Sequence, residues 1–357
     1  MTTKIEEILD LFREFVATHD YKTTPILSVY VDVDSTNPAN QSLQPAWEIE
    51  LKNEFKRIES QLDSDELKRL DVQKTWTQTE QMVMHHLQGR KPTGRSVVLF
   101  TDLKDMISVD LAVPVNTRLY YGLPQVKHLL FALDQYKKYL VILLSGSEVR
   151  LVEVFLTRAK NEIKVETDHE LARRFGRKSK TLAADRRDQE FERRFVREVA
   201  AEINQYFLED VECERMIFGG NPKQAHAVIS ALHPAVRDMV VSVETIDFKL
   251  PDHEVASMVQ PIAYSYEQEH DVGVVDDLVN RFNRRGPAII EKQGVENALV
   301  QGKVKTLVIP YPIDTEEFDS LIIDVTLSGA EIEFVYGEGA EKLKQFGGIG
   351  ATLYYSN

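Results

Sequence analysis

The sequence predicts an α/β protein of three domains, and three observations carry that reading. Its 357 residues exceed what one ordinary core holds. Segments rich in β-branched residues alternate with segments of helical apolar spacing along the whole chain. The elements group into units of 1–124, 125–250 and 251–357, each with the mix that favours a sheet covered by helices. An apolar fraction of 43% and a charged fraction of 28% are those of a soluble globular protein.

The first helix is expected over about Lys4 to Thr18, where Ile5, Ile8, Leu9, Phe12 and Phe15 share a face. Pro25 leads into a strand, Ile26 to Val33, followed by a polar loop from Ser35 to Pro45 with two prolines and two asparagines. Helices follow over about Ala46 to Leu62 and Ser64 to Leu87. A short basic turn, Gly89 to Arg95, then precedes strands at Ser96 to Asp102 and Met106 to Val113. The second unit opens with a helix near Val126 to Leu133. Its strands are expected at Tyr139 to Leu144, Glu148 to Phe155, Glu162 to Thr167, Arg215 to Phe218 and Val240 to Phe248. A long helix from Asp188 carries Phe191, Phe195, Val199, Ile203 and Tyr206 as one stripe, and another is expected from Pro222 to about Met239. The third unit begins with a helix near Asp252. It continues with a helical turn at Gly294 to Leu299 and strands at Thr306 to Pro310, Ile332 to Val335 and Ala351 to Tyr355. These are the elements of a small α/β/α sandwich.

Charge is distributed unevenly. Between Leu171 and Arg187 the cations Arg173, Arg174, Arg177, Lys178, Lys180, Arg186 and Arg187 face one acid, Asp185. That gives the stretch +6 and leaves −20 on the remainder of a chain whose net charge is −14. An acidic surface repels nucleic acid, whereas a concentrated basic loop binds phosphates by counterion release. Arginine grips phosphate with two parallel hydrogen bonds and stacks on bases, Phe175 offers a further stacking face, and Ser179 can donate to phosphate. Two readings stand side by side for this stretch: a solvated loop, or an RNA-binding loop. The same pair of readings applies to Asn37, Asn40 and Gln41 in the polar loop and to Arg90, Lys91 and Arg95 in the basic turn.

The sequence is poor in catalytic patterns. His85 and His86 are adjacent and point to different faces of a helix, and His169-Glu170 lacks a second ligand at zinc spacing. No P-loop, nucleophile elbow or Cys–His signature is present, so no catalytic residue, metal site or cofactor is expected. The single Cys213 excludes an internal disulfide and suits a reducing cytoplasm. The charged opening Met1 to Glu7 has no signal-peptide core, and no run reaches the roughly 18–20 apolar residues that a membrane span needs. A cytoplasmic protein without membrane contact is expected.

The third unit carries a resemblance. Gly294 to Ile309 (GVENALVQGKVKTLVI), Gly329 to Val335 (GAEIEFV) and Gln345 to Tyr355 (QFGGIGATLYY) resemble the third domain of the archaeal and eukaryotic class-one release factors and Pelota. The resemblance implies three α/β domains arranged as in those proteins, with the first on the side of the decoding centre. In release factors the loop of the middle domain bears Gly-Gly-Gln and promotes peptidyl-tRNA hydrolysis. Here no Gly-Gly-Gln occurs, and the basic stretch 173–187 stands in its place; Gly219-Gly220-Asn221 lies in the wrong part of the domain. Stop-codon-reading motifs are likewise missing from the first unit. The chain is most similar to the ribosome hibernation factors of the bacterial branch. That similarity implies a monomeric, non-enzymatic protein of the stress response that enters the ribosomal A site. It would contact 16S and 23S rRNA, inhibit translation and associate with elongation factor Tu. A rescue-type peptidyl-tRNA hydrolase working without Gly-Gly-Gln, and a scaffold protein that has lost the ribosome, are the alternatives.

Overall fold

A computed structural model describes the chain except for residues 1–4, 20, 23, 63–69, 90–93, 112, 147, 158–161, 167–188, 210–212, 214, 314–315 and 356–357. The described residues form three sheets in two compact units, one of 1–134 with 274–357 and one of 135–273.

In the first of these units, α1 (Ile5–Thr18) precedes β1 (Ile26–Asp32), a 3-10 turn (Pro38–Gln41), α2 (Ala46–Gln61) and α3 (Leu70–Gln88). β2 (Ser96–Thr101), β3 (Met106–Leu111), β4 (Arg118–Gly122) and α4 (Val126–Gln135) complete its N-terminal part. The strands make an antiparallel sheet in the order β3-β2-β1-β4. Both faces of β1 are buried, and the period-2 alternation sorts its side chains. Ile26 and Tyr30 join Ile8, Phe12 and Phe15 of α1, while Leu27, Val29 and Val31 join Trp47, Leu51 and Phe55 of α2. β4, which the sequence reading did not anticipate, is pinned to α2 by Glu54. Its carboxylate accepts from Arg57 at 2.8 Å, Arg118 at 3.1 Å and the Leu119 N–H at 3.0 Å. Although burial works against the charge, these donors hold the Glu54 carboxyl below its ordinary range.

The middle unit comprises β5 (Tyr136–Ser145), β6 (Glu148–Thr157), β7 (Glu162–Glu166), α5 (Gln189–Glu209), β8 (Arg215–Gly220), α6 (Pro222–Ala231), α7 (Pro234–Arg237) and β9 (Val240–Val243). Its sheet runs β7-β6-β5-β8-β9, antiparallel on the β6 side and parallel from β5 through β8 to β9. Phe195, Val199, Ile203 and Tyr206 of α5 are buried as the spacing predicts. The single helix expected from Pro222 to Met239 is instead two. Pro234 forces the preceding His233 out of helical geometry, to φ −59 and ψ 141, and starts α7 afresh. The strand expected to reach Phe248 stops at Val243, after which Ile246 turns inward to the core at 2% exposure.

Helix α8 (Asp252–Asn283) lies across the boundary between units, its residues to Gly273 counted with the middle unit and the rest with the other. β10 (Ala288–Ile290), α9 (Lys292–Val300), β11 (Val304–Pro310), a 3-10 turn (Glu316–Phe318), α10 (Asp319–Ser328), β12 (Glu331–Val335), α11 (Gly337–Gln345) and β13 (Gly350–Leu353) follow. Their sheet order is β10-β13-β11-β12. β10, α10 and α11 were not anticipated from sequence. Gly347 and Gly348, before the last strand, have φ of 106° and 75°, left-handed conformations that a Cβ disfavours. The glycine-rich ending is therefore a turn built for the fold. Within this unit Asp319 accepts from Lys127 at 2.7 Å and Gln125 at 3.0 Å, and the Tyr336 hydroxyl donates to Asp134 at 3.1 Å, so the two sheets of the unit are tied by polar as well as apolar contacts.

Candidate nucleic-acid interface

Of the residues the sequence singles out for RNA contact, Arg173, Arg174, Phe175, Arg177, Lys178, Ser179, Lys180, Arg186, Arg187, Arg90 and Lys91 lie outside the described residues. Asn37, Asn40, Gln41 and Arg95 are described, and the fold brings them together where β1 leaves the sheet beside the start of β2.

The loop between β1 and α2 is organised by its own side chains. Asp34 accepts from the Thr36 N–H at 2.8 Å and the Thr36 hydroxyl at 2.7 Å, closing a turn. Asn37 caps the 3-10 turn by accepting from the Ala39 N–H at 3.1 Å, with Pro38 at its first position, and also bonds to the Asp32 carboxyl. Asn40 donates to the carbonyls of Asp32 and Asp34, both at 3.2 Å, and accepts from the Trp47 N–H at 3.3 Å. Both its donor hydrogens and its acceptor are thereby engaged. Gln41 donates to the Ser35 carbonyl at 2.9 Å. Arg95 is anchored through its backbone, donating to the Leu111 carbonyl at 2.8 Å and accepting from the Val33 N–H at 3.0 Å. Its guanidinium Nε lies 3.9 Å from Asp34 Oδ2.

This arrangement preforms the loop and leaves the amides little to offer a ligand. It presents Leu43, which sequence reasoning missed and which is fully exposed at 110%. An apolar residue inside an otherwise polar stretch was the available signal. Asp32 and Asp34 sit at the loop base, with the Arg95 guanidinium beside Asp34. The Asp32 carboxyl is raised above its ordinary range by burial, with Asp34 and Glu50 adding repulsion.

In the middle unit, Gly219-Gly220-Asn221 forms the turn from β8 to α6. A Cβ on Gly220 would meet the Leu144 carbonyl oxygen at 2.1 Å, and Asn221 accepts from the N–H groups of Lys223 and Gln224 at 3.0 and 3.3 Å. These residues build a helix start. The unit also buries Glu267 at 2% exposure, where the Tyr139 hydroxyl donates to it at 2.6 Å and Arg215 lies 3.5 Å away. Burial, then the neighbouring Glu267 charge, pushes the Tyr139 hydroxyl far up, so it stays a proton donor in this pair. Burial likewise raises the Cys213 thiol to about 12, which leaves it an unreactive core residue. His128 is pushed down to about 4 by burial and is neutral at neutral pH.

Residues 124–264 match the family model described as Bacterial archaeo-eukaryotic release factor family 10. No curated protein is similar enough to match. Among solved structures, the archaeal translation termination factor aRF1 is 18% identical, with 99% of each chain covered and a TM-score of 0.27. Archaeoglobus fulgidus Pelota is 16% identical over 73% of this chain and 79% of its own, with a TM-score of 0.33. Archaeal Pelota from a model of ribosome-bound Pelota and ABCE1 is 17% identical over 71% of this chain and 72% of its own, with a TM-score of 0.45. Likeness at that level says nothing about chemistry. Among the described residues, no helix is long and apolar enough to cross a membrane.

Proposed function

We propose that the protein is a ribosome-binding translation factor that occupies the A site and holds the ribosome inactive. The observation that carries this reading is the family match over 124–264 in a chain without Gly-Gly-Gln. Where release factors bear that tripeptide, this chain concentrates a charge of +6 between Leu171 and Arg187. A glutamine-bearing tip positions water for hydrolysis; an arginine-rich tip binds irregular RNA and has no group suited to that step. The protein therefore acts by occupancy and without catalysis.

In this reading the basic stretch lies against the peptidyl transferase centre in 23S rRNA, and the loop with Leu43 faces the decoding centre in 16S rRNA. The finer likeness, to the hibernation factor Balon, adds stress-linked action, delivery with elongation factor Tu, a cytoplasmic location and a monomeric state. The acidic remainder of the chain, carrying −20, supports this division: it keeps non-contacting surfaces off RNA.

The test is co-sedimentation of the purified protein with 70S ribosomes, with and without elongation factor Tu, alongside in vitro translation and a peptidyl-tRNA hydrolysis assay on stalled complexes. Binding with inhibition and without hydrolysis is expected. Hydrolysis that depends on the basic stretch would make the protein a rescue enzyme, and no binding would remove the ribosome from the account.

A further inference from the structure

We propose that His19, Asp102 and Asp105 form a site for one divalent transition-metal ion, which fastens the end of α1 to the turn between β2 and β3. The inference stands on unit geometry alone and is independent of the ribosomal reading.

His19 follows the last residue of α1. Its Nδ1 lies 2.7 Å from the Phe15 carbonyl oxygen and 2.9 Å from the Thr18 hydroxyl. The hydroxyl itself donates to that same carbonyl at 2.8 Å, so its oxygen is available to accept. Nδ1 must then carry a hydrogen, so Nε2 is the nitrogen that can offer a lone pair to an ion. The Phe15 ring stacks on the imidazole at 4.5 Å and fixes its plane. A backbone carbonyl on one ring nitrogen is the usual partner that orients a metal-binding histidine through the other.

Nε2 faces two carboxylates, 3.4 Å from Asp102 Oδ2 and 3.8 Å from Asp105 Oδ2. All three ligand atoms lie within 4.8 Å of one another. A lone pair aimed at two anions is repulsive unless a positive charge sits between them. A shared proton would draw nitrogen and oxygen to about 2.7–2.9 Å. An ion with bonds of about 2.0–2.2 Å keeps tetrahedral neighbours roughly 3.3–3.5 Å apart; the His19–Asp102 pair at 3.4 Å has that spacing, and the exposed Asp105 at 3.8 Å needs only a small inward shift to reach it. Asp102 is prepared for the role: its Oδ1 accepts from the N–H groups of Lys104 at 2.9 Å and Asp105 at 2.7 Å, directing Oδ2 at the histidine. The side chains of His19 and Asp102 are 16% and 10% exposed, whereas Asp105 is 79% exposed. Two ligands are therefore held by the fold, the third closes from solvent, and water can fill a fourth position. One imidazole with two carboxylates suits zinc, manganese or iron(II) over magnesium or calcium, which favour all-oxygen sets.

The site escapes sequence reading because His19 is far along the chain from the two acids. Only the packing of α1 on the sheet face that holds Tyr30 and Phe100 brings them together.

The experiment titrates the full-length protein, stripped by EDTA and dialysed, with zinc chloride and with manganese chloride by calorimetry, and follows thermal unfolding at each ratio. One ion per chain and a raised Tm are expected. Asp105→Asn, at an exposed position that folding tolerates, and His19→Gln should each weaken binding more than about tenfold and abolish the Tm shift. His85→Gln, on the exposed side of α3, should bind as the parent does. Equal binding by parent, Asp105→Asn and His19→Gln would mean adventitious surface binding and overturn the proposal. No stoichiometric binding, with Asp105→Asn lowering Tm in EDTA, would reduce the cluster to an ion pair of protonated His19.

Discussion

The two regions that the sequence offers for RNA contact achieve their polarity by opposite means. In the loop between β1 and α2 the amides of Asn37, Asn40 and Gln41 are engaged by the loop's own backbone, and the acids Asp32 and Asp34 stand at its base with Arg95 beside them. In the stretch 171–187 the polarity is net charge, +6, in a chain of −14. A polar stretch can thus be scaffold or grip, and only the second kind has affinity that depends on salt. If that division holds, Arg173→Ala, Arg174→Ala, Arg177→Ala and Lys178→Ala combined should produce the largest effect on ribosome binding. Four lost phosphate contacts lower the slope of log affinity against log salt by roughly 3, at about 0.7–0.9 each. Co-sedimentation across a salt series reads this directly, and an unchanged slope would break the comparison.

Asn40→Ala attacks the other side of it. The substitution leaves the Trp47 N–H and two loop carbonyls without their side-chain partner, at a part-buried position. A loss of about 1–3 kcal/mol in urea unfolding is expected, with ribosome binding weakened through loop order and the salt slope unaltered. A slope that fell by about 1 would mean that Asn40 neighbours a phosphate after all.

The comparison also marks what the sequence made legible. Helical periodicity found the buried stripe of α5 and the apolar face of α1, because burial enforces a period that composition cannot hide. β10, with three residues, is too short for alternation to register, whereas β4, α10 and α11 escaped although strands as short as the four-residue β13 were found. The helix expected across residues 222–239 broke at Pro234, a signal that was present and overridden by the apolar spacing around it. At the candidate interface, the residue types of Asn37, Asn40 and Gln41 were readable, but their engagement was not. An asparagine that caps a turn and one that awaits a ligand have the same letter, and only the positions of Ser35, Ala39 and Trp47 decide between them.

Leu43 sharpens the contrast from within the loop. Its side chain is fully exposed, so Leu43→Ser removes apolar surface without opening a cavity and should leave thermal stability within about 0.5 kcal/mol of the parent. Weaker ribosome binding with an unchanged salt slope would then identify Leu43 as a direct, non-ionic contact of the loop. Binding equal to the parent would leave the loop as scaffold only.

Asp32→Asn gives the smallest effect and tests where the loop keeps its charge. Burial raises the Asp32 carboxyl above its ordinary range, Asp34 and Glu50 push it further, and bonds from the Asp34 N–H and Asn37 pull it back. A raised value in the folded state means that folding holds this proton more tightly than the unfolded chain does. Stability is then highest below the ordinary carboxylate range and falls as pH rises through the folded value, leaving the charged form with a penalty at neutral pH. An asparagine can still accept from the Asp34 N–H but carries no charge. The variant should therefore melt slightly above the parent at neutral pH, and the two curves should converge as pH falls below the ordinary carboxylate value of about 3.9. A gap that stays constant with pH would show that the substitution acts through hydrogen-bond geometry, and that the loop's acids are no more strained than its amides.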